Sequence, residues 1–506
     1  MKKYSNILWV IFAGIIVGLS VYHILYWLIW IALIPFFIVI SQHGLKQNIL
    51  YGFIYGVVSG SILLFWIINS TQKYSGSDTL LGIPLYILFV LYYAIFPLLF
   101  TASYSFVKSR VKNNINLVVA SAFLWIVIEW INVNVLPGIP WVKYTLGFTQ
   151  STSLLGIQLC SVTGQWGISF VIVVVSMLFT HAITTKEAKP AFTGISLIIV
   201  FYLAGFVLLE LNSSQGTNEI KVAILQENIK AETRWQESTG DSLANVFFKL
   251  NEEAAKSNPD LIVWSESALP WTFTPDDDLI RMALEITKPS NAGHIIGILS
   301  EAGNNPGKVY NSVYYFEPDG RATSRYDKMG LLSFLEKPFL NPSFKIPFLS
   351  EGVYNNVLEG SKVSLLKSPV GKIGMLLCNE SLPPYLARKE VEMGADFLVN
   401  MSNDAWFQGT HLIDHHFYYA RLKTVESGRS LIVNSNNGIA GFIEAYGVIK
   451  EQNQSGKATC IVGTISVSRA ETVYYLFGDW VVFLCMIVFP LILFVKKNAD
   501  KLKNRK

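Results

Sequence analysis

The stretch Ile373-Gly374-Met375-Leu376-Leu377-Cys378-Asn379-Glu380 decides the fold of the central part of the chain. Its apolar run has the length of a buried β-strand, and the polar residues that follow predict a turn at the carboxyl end of that strand. A thiol at such a turn is exposed at the edge of the sheet. We therefore expect an α/β domain with a largely buried sheet and with Cys378 at one of its edges.

Two further stretches end a predicted strand on an ionisable side chain. Ile262-Val263-Trp264-Ser265-Glu266-Ser267 carries Glu266, and Arg325-Tyr326-Asp327-Lys328 carries Lys328, which lies 62 residues after Glu266 and 50 before Cys378. A general base, a cation for an oxyanion and a nucleophile are the parts of an acyl-transfer site. Each of the three alone is more often a structural residue or a solvated charge. Their joint occurrence favours catalysis.

The block from residue 219 to residue 470 alternates short β-rich runs with helical stretches, which indicates an α/β fold. Strands are predicted at 221–226, 261–264, 294–299, 312–316, 373–377, 397–401, 431–434 and 460–465, and helices at 238–257 and 411–428.

Composition places the rest of the chain in a bilayer. The 506 residues are 51% hydrophobic and 15% charged, whereas soluble domains carry about 25% charged residues. Residues 219–470 hold 24 Lys and Arg against 29 Asp and Glu, and the remainder holds 16 against 7. The central block therefore has the charge of a soluble domain. The net charge of +4 is a signal of membrane topology rather than of nucleic-acid binding.

Eight apolar stretches have the length of membrane-spanning helices. They lie near residues 7–22, 25–40, 50–68, 80–106, 115–131, 166–183, 192–209 and 480–495. The first two form one uncharged run, which as a single helix would be about 50 Å long and too long for a core of about 30 Å. A hairpin near Tyr22-His23 is expected instead.

These spans predict four regions along the chain. Seven transmembrane helices occupy residues 1–211, a linker 212–218, the α/β domain 219–470, and an eighth helix with a basic tail 471–506. Most lysines and arginines outside the domain fall on one side of the membrane under this count, with only Lys73 and Lys143 in the opposite loops. By the positive-inside rule both termini are cytoplasmic and the domain is outside. No cleavage site for a signal peptide follows the first span.

Three other features of the sequence, namely the cysteines, a group of histidines and Glu129, have weaker interpretations. The four cysteines show no metal-binding spacing and no disulfide framework. His411, Asp414, His415 and His416 resemble a metal cluster, but no HExxH motif supports it, and we favour structural polar residues without a metal. Glu129 lies within a predicted span, where an acid is a functional hypothesis by default, although a hydrogen bond within the membrane part is the simpler interpretation.

Taken together, the motifs resemble those of the bacterial apolipoprotein N-acyltransferases, which are integral inner-membrane enzymes with a periplasmic nitrilase-like domain. The resemblance covers nearly the whole chain. It rests on Trp264-Ser265-Glu266-Ser267-Ala268-Leu269-Pro270, Tyr326-Asp327-Lys328, Cys378-Asn379-Glu380, Ser402-Asn403-Asp404-Ala405-Trp406-Phe407 and Asn436-Asn437-Gly438, with Glu129-Trp130 and Pro140-Trp141 in the membrane part. It implies eight spans and an αββα sandwich.

The resemblance also implies roles for individual residues. Cys378 matches the nucleophile, Glu266 the general base and Lys328 the lysine beside the oxyanion. Glu336, Glu380 and Asn379 match supporting positions near the nucleophile and the lysine. Substrate contacts are implied at Trp235, Trp406, Asn403 and Arg429. No cofactor and no metal are expected.

The implied reaction is N-acylation of the N-terminal diacylglyceryl-cysteine of apolipoproteins. A phospholipid, phosphatidylethanolamine in particular, donates the acyl chain through a thioester on Cys378 in a ping-pong sequence. The chain is expected to act as a monomer in the bacterial inner membrane, with its catalytic domain in the periplasm. Two alternatives stay open: a membrane-tethered carbon–nitrogen hydrolase acting on a small amide, and a degenerate domain that serves as a scaffold.

Two departures from the family pattern lie beside the predicted site. Leu332-Ser333-Phe334-Leu335-Glu336 replaces a Val-Pro-Phe-Gly-Glu stretch, and Asn379 replaces a tyrosine after the nucleophile. Both bear on substrate preference, while the three catalytic residues are intact.

Overall fold

The computed structural model describes residues 2–75, 82–111, 113–136, 138–212, 218–233, 235–303, 305–333, 336–337, 356–454 and 456–503. Within these ranges the chain is helical up to residue 212 and α/β from residue 218 onward. The predicted linker at 212–218 lies outside the described residues except for its two ends.

The N-terminal part is a bundle of apolar helices. Its helices are α1 (Lys2–Tyr22), α2 (Ile29–Ala32), α3 (Ile34–Gln42), α4 (Leu45–Leu64), α5 (Trp66–Ser75), α6 (Gly82–Arg110), α7 (Asn114–Asn134), α8 (Cys160–Thr163), α9 (Gln165–Thr185) and α10 (Ala188–Asn212). Within the described residues, six helical stretches are long and apolar enough to cross a membrane: Tyr4–Tyr22, Leu45–Lys73, Gly82–Arg110, Asn114–Asn134, Gln165–Thr185 and Ala188–Asn212. The chain is therefore a membrane protein.

The predicted count of eight spans is not confirmed. The second predicted span is represented by the shorter apolar stretch Ile29–Gln42, which is about 21 Å long at the rise of an α-helix. The eighth is represented by the apolar stretch Trp480–Ile492. The predicted hairpin lies where α1 ends at Tyr22, and Ile24 adopts a φ of +51° in that turn.

Two β-sheets form the centre of the C-terminal part. Its strands are β1 (Asn218–Gln226), β2 (Leu261–Val263), β3 (Leu269–Thr272), β4 (Gly293–Glu301), β5 (Val309–Phe316), β6 (Ala322–Asp327), β7 (Val357–Leu358), β8 (Leu366–Ser368), β9 (Gly371–Leu377), β10 (Phe397–Asn403), β11 (Leu431–Asn436), β12 (Ala440–Ile443), β13 (Ile449–Asn453) and β14 (Thr459–Val467). One sheet has the order β14-β1-β2-β4-β5-β6, with β3 beside β4 and β7 beside β5, and the other has the order β13-β12-β11-β10-β9-β8.

Helices cover the outer face of each sheet. They are α11 (Gly240–Lys256), α12 (Asp278–Thr287), α13 (Pro384–Glu392) and α14 (Leu412–Ser427). Two more helices, α15 (Val473–Phe477) and α16 (Trp480–Lys503), follow the sandwich in the chain. Along β1, Val222 and Ile224 face the core between the sheets, whereas Ala223 and Leu225 face the core under α11 and α12. This period of two is that of a strand buried on both faces. The order of the layers is therefore helix, sheet, sheet, helix, which agrees with the predicted αββα sandwich.

Helix α14 lies between the second sheet and the membrane bundle. Nearly all of its residues are buried, although its sequence is rich in charged and imidazole side chains. Arg421 donates to the carbonyl oxygen of Ser151 over 2.8 Å, and His415 Nε2 lies 3.0 Å from the carbonyl oxygen of Val21. The carbonyls at the end of α1 have no partner within their own helix, so His415 caps that end. These contacts fix the sandwich on the bundle.

Two acids stabilise the membrane-side packing. Glu129 accepts from Trp125 Nε1 over 3.0 Å and from the N–H of Leu146 over 2.8 Å, so it ties α7 to the loop that follows it. Asp479, before α16, accepts from Trp130 Nε1 over 2.7 Å and from Trp166 Nε1 over 2.8 Å. The last helix is thereby attached to α7 and α9.

We expect Asp479→Ala to destabilise the protein. Indole N–H groups lose a charged acceptor, and hydrogen bonds to charged groups are worth about 1.5–3 kcal/mol each. The midpoint of thermal unfolding in detergent should fall, while Asp276→Ala, at an exposed acid of the sandwich, should leave it unchanged. Equal midpoints for the two variants would contradict the proposed attachment of α16.

Candidate active site

The three predicted catalytic residues converge at one end of the sandwich. Glu266 follows β2 and Lys328 follows β6 in the first sheet, whereas Cys378 follows β9 in the second. All three side chains are buried, with 6%, 1% and 5% exposure, and all three line one cavity. The fold thus assembles the base, the cation and the thiol from three separate strand ends.

Glu266 is fixed by donors on both of its carboxylate oxygens. Its Oε1 accepts from Lys328 Nζ and from Asn311 Nδ2, each over 2.9 Å, and its Oε2 accepts from the backbone N–H of Asn403 over 3.2 Å. The turn that carries Glu266 packs directly on Gly297 of β4, where a Cβ atom would lie 2.4 Å from the carbonyl oxygen of Ser265. Only a glycine allows this close approach, so Gly297 helps to set the position of Glu266.

Lys328 is a buried ammonium held between two carboxylates. Its Nζ donates to Glu266 over 2.9 Å and to Glu336 over 2.8 Å. Burial opposes the charge, but the two carboxylates outweigh it and hold the pKa of Lys328 well above its ordinary value. Lys328 is therefore a fixed positive charge beside the thiol.

Cys378 sits in a strained turn. Its φ is +50°, in the left-handed region that non-glycine residues seldom adopt, and such strain concentrates at functional sites. Burial and the Glu266 carboxylate raise the pKa of the Cys378 thiol, against the opposing effect of Lys328. The resting thiol is therefore neutral, and it needs a base before it can attack.

Glu380 connects the turn of Cys378 to the segment that follows Lys328. One of its oxygens accepts from the N–H groups of Met329 and Gly330 over 2.6 and 2.7 Å. The other accepts from the N–H of Leu377 over 2.7 Å and from Tyr326 Oη over 2.9 Å. Burial raises the pKa of Glu380 to about 7, and the hydrogen bonds limit the rise. Glu380 thus couples the two sheets without touching Lys328.

The remaining predicted residues have different positions. Trp235, Trp406 and Asn403 line the cavity, and the side chain of Asn379 donates to the carbonyl oxygen of Gly330 over 2.8 Å. Arg429 lies elsewhere: it donates to the carbonyl oxygens of Ala395 over 2.9 Å and of Ala470 over 2.6 Å. The Arg429 guanidinium therefore binds backbone carbonyl groups and is not part of the cavity lining. Its described contacts do not support the expected substrate contact.

The altered segment after Lys328 is described in part. Leu332 donates its N–H to Glu336 Oε2 over 2.8 Å, and Ser333 donates its N–H to the carbonyl oxygen of Gly138 in the membrane part over 2.7 Å. Phe334 and Leu335 lie outside the described residues. The described residues thus connect Glu336 to the loop after α7.

The cavity reaches from the catalytic residues to the membrane helices. Its volume is about 590 Å³. Its polar end holds the three predicted catalytic side chains. Its apolar end is formed by the membrane part, with Trp66, Ile67, Leu85, Phe89, Ile139, Trp141 and Val142. A long apolar group that reaches the thiol through this cavity would therefore contact apolar side chains of the membrane part.

One residue of the predicted histidine cluster, His416, contacts the turn of Cys378. His416 Nε2 lies 2.8 Å from the carbonyl oxygen of Cys378, and its Nδ1 lies 2.9 Å from Asp404 Oδ1. Burial opposes protonation, but Asp404 outweighs it and raises the pKa of His416. In the described part of the chain, no three His, Cys, Asp or Glu side chains come together as metal ligands.

Sequence reasoning missed three polar residues of the site. Asn311 and Asp404 act through Glu266 and His416, and Glu227 lines the cavity beside Ser265. Glu227 follows β1 directly, as Glu266 follows its own strand, so the same strand-end pattern could have identified it. Asn311 lies within β5, where no sequence pattern distinguishes it.

We expect Glu390→Gln to stabilise the protein increasingly as the pH rises. Glu390 of α13 is fully buried, and burial, with a contribution from Glu380, raises its pKa from 4.5 to about 9. A carboxyl whose pKa is raised in the folded state contributes stability below pH 4.5 that is lost as the pH rises towards 9. Glutamine does not titrate and avoids this loss.

The measurement is the free energy of unfolding in detergent at pH 5, 6.5 and 8. The variant should gain on the wild type by about 1 kcal/mol or more at the highest pH. Glu392→Gln, at an exposed position of the same helix, should run parallel to the wild type. Parallel curves for Glu390→Gln would mean that this carboxyl does not titrate as inferred.

Two families account for most of the chain. Residues 221–475 match the carbon–nitrogen hydrolase family, and residues 13–178 match the N-terminal domain of apolipoprotein N-acyltransferase. An apolipoprotein N-acyltransferase from Geobacter metallireducens is 26% identical over 471 residues, covering 91% of this chain and 89% of the relative. Another from Rickettsia prowazekii is 27% identical over 391 residues, covering 75% of this chain and 77% of the relative.

Part of the chain is similar to a solved structure. The crystal structure of a carbon–nitrogen hydrolase from Helicobacter pylori G27 has a TM-score of 0.38 and 18% sequence identity, and the match covers 52% of this chain and 94% of that one.

Proposed function

The chain belongs to the carbon–nitrogen hydrolase family, in the membrane branch of the apolipoprotein N-acyltransferases, and from this membership we propose that it acylates lipoproteins. The acceptor is the α-amine of an N-terminal diacylglyceryl-cysteine, and the donor is a phospholipid such as phosphatidylethanolamine. The observation that carries this proposal is the cavity that joins Cys378 to apolar side chains of the membrane part.

The first half-reaction forms a thioester. Glu266 takes the proton of the Cys378 thiol, and the sulfur attacks the ester carbonyl of the phospholipid. Lys328 and backbone N–H groups of the turn after Cys378 stabilise the oxyanion. The C–O bond then breaks, and Glu266 returns the proton to the leaving oxygen of the lysophospholipid.

The second half-reaction transfers the acyl group to the amine. The neutral α-amine attacks the thioester carbonyl, Glu266 takes the proton that the nitrogen loses, and the C–S bond breaks. The proton then passes from Glu266 to the thiolate, which restores the resting enzyme. One residue serves as base and acid in both halves, which requires that Glu266 keep its position throughout.

The hydrogen bonds of the site support these assignments. Glu266 and Lys328 share a buried ion pair of 2.9 Å, so the base and the cation are positioned together. His416 Nε2 lies 2.8 Å from the carbonyl oxygen of Cys378, so it fixes the turn whose N–H groups are proposed to stabilise the oxyanion. Glu380 and Glu336 are proposed to position the turn and the lysine.

The proposed topology has eight spans. Residues 1–211 and 471–506 form the membrane part and residues 219–470 the catalytic domain, with both termini in the cytoplasm and the domain in the periplasm of the inner membrane. The distribution of lysine and arginine supports this orientation. The stretches Ile29–Gln42 and Trp480–Ile492, both apolar, would be the second and eighth spans. The enzyme would act as a monomer.

We expect reporter fusions to agree with this topology. Alkaline phosphatase, which folds only outside the cytoplasm, should be inactive when fused after residue 506 and active when fused at residue 470. The second fusion point lies before α16, and the first after it, so the pair tests the eighth span directly. Equal activity at the two points would contradict it.

We expect Cys378→Ala to abolish acyl transfer. Purified protein in detergent is incubated with phosphatidylethanolamine and a diacylglyceryl lipopeptide, and mass spectrometry follows both the peptide and the enzyme. The wild type should gain one acyl mass on the enzyme and pass it to the peptide, and the variant should do neither. Cys460→Ala, at a cysteine of β14 away from the cavity, should behave as the wild type.

Other outcomes identify the alternatives. An acyl-enzyme that leaves the peptide unchanged would mean that the acceptor is wrong. Release of an amine from small amides without any acylated product would favour a hydrolase. A wild type that is never acylated, under conditions where a relative is active, would favour the scaffold.

A further inference from the structure

Glu227 is a carboxylate of the cavity that the proposed mechanism does not use. It follows β1 and is 4% exposed. One of its oxygens accepts a hydrogen bond from the hydroxyl of Ser265, the residue before Glu266. Its other oxygen, Oε2, is buried and has no hydrogen-bond partner among the described residues.

A buried carboxylate oxygen without a partner is costly. Leaving a buried acceptor unsatisfied costs about 1–3 kcal/mol, and more for a charged group. Burial raises the pKa of Glu227 to about 7, with the Ser265 hydroxyl opposing the rise. In the free protein the Glu227 carboxyl therefore changes between its neutral and charged forms near neutral pH. A cation in the cavity would favour the charged form.

Each oxygen of the other two described carboxylates of the cavity already accepts a hydrogen bond. Both oxygens of Glu266 accept hydrogen bonds, and the two oxygens of Glu336 accept from Lys328 and from the N–H of Leu332. Within the described lining, Glu227 is the carboxylate with an oxygen left for a ligand.

We propose that Glu227 is the binding site for a primary ammonium group of a lipid substrate. The inference rests on the proposed function, which supplies two such groups. One is the α-ammonium of the diacylglyceryl-cysteine acceptor, and the other is the ethanolamine ammonium of the donor headgroup. An α-amine with an ordinary pKa of about 7.7–8.0 is mostly charged at neutral pH, so it enters the cavity as a cation and loses one proton to solvent before the neutral amine attacks the thioester.

The placement suits such a ligand. Ser265 connects Glu227 to the turn that carries Glu266, so an ammonium bound at Oε2 lies on the same side of the cavity as the base. Lys328 is held by Glu266 and Glu336, so its charge is compensated and does not need Glu227. Glu227 is thus free to compensate a charge that the substrate brings.

The test compares Glu227→Gln with the wild type in each half-reaction. The glutamine keeps an acceptor for Ser265 and removes the negative charge. Acyl-enzyme formation is measured with phosphatidylethanolamine and with phosphatidylglycerol of the same chains, since the second has no ammonium. Transfer from the acyl-enzyme is measured against lipopeptide concentration. Glu232→Gln, at an exposed glutamate of the same loop, is the matched control.

Two results support the site and distinguish its ligands. If the α-ammonium binds there, the variant forms the acyl-enzyme normally from both lipids, and its KM for lipopeptide rises about ten- to a hundredfold. If the ethanolamine ammonium binds there, acylation slows by a similar factor with phosphatidylethanolamine only.

Three results overturn the site. Glu227→Gln and Glu232→Gln behave alike, or acylation slows equally with both lipids, or the wild type is not acylated at all. The third result also refutes the proposed function, whereas the first two leave it intact.

A measurement on the wild type covers the case in which Glu227→Gln does not fold. Dodecylamine and dodecanol have the same chain and differ in the ammonium. Dodecylamine should inhibit acyl transfer at about a tenth or less of the dodecanol concentration. Equal inhibition by the two compounds overturns the ammonium site.

Discussion

The site depends on the need to compensate one buried charge. An ammonium such as that of Lys328 is stable inside a protein only when carboxylates surround it, because taking an ion out of water costs several kcal/mol. Glu266 and Glu336 meet this need over 2.9 and 2.8 Å. The base is therefore positioned by the same interaction that keeps the cation charged, and removing Lys328 would leave the buried Glu266 without its counter-ion.

The cavity combines two environments that are usually separate. Its catalytic end is lined by a sandwich with ordinary soluble character, and its other end by aromatic and aliphatic side chains of the membrane part. The proposed thioester would have apolar groups on one side, and keeping water from its carbonyl would favour transfer over hydrolysis. Ser333 and Gly138, whose backbones are hydrogen-bonded, join the two environments beside the site.

Much of the fold could be predicted from the sequence, because buried strands are apolar runs. The convergence of Glu266, Lys328 and Cys378 could also be predicted, because each of them follows a strand or lies just past its end. All eight predicted strands have counterparts in the structure. Strands such as β6 and β13 were missed because they are polar and lie at or near sheet edges. Six of the eight predicted spans correspond to described helices that are long and apolar enough to cross a membrane. The second predicted span is interrupted at Leu33 between α2 and α3, a break that hydropathy does not register. The sequence also did not indicate the surroundings of Arg429, whose guanidinium donates to backbone carbonyl groups and is not part of the cavity lining.

Helix α14 has a consequence for how such a protein could have arisen. His415 and Arg421 bind carbonyl groups that belong to the membrane part, so a soluble ancestor would have presented a different surface there. Separating the sandwich from the bundle would leave these polar groups without partners and the surrounding apolar side chains in water. The two parts are therefore no longer interchangeable modules, and divergence in one has to be matched by divergence in the other.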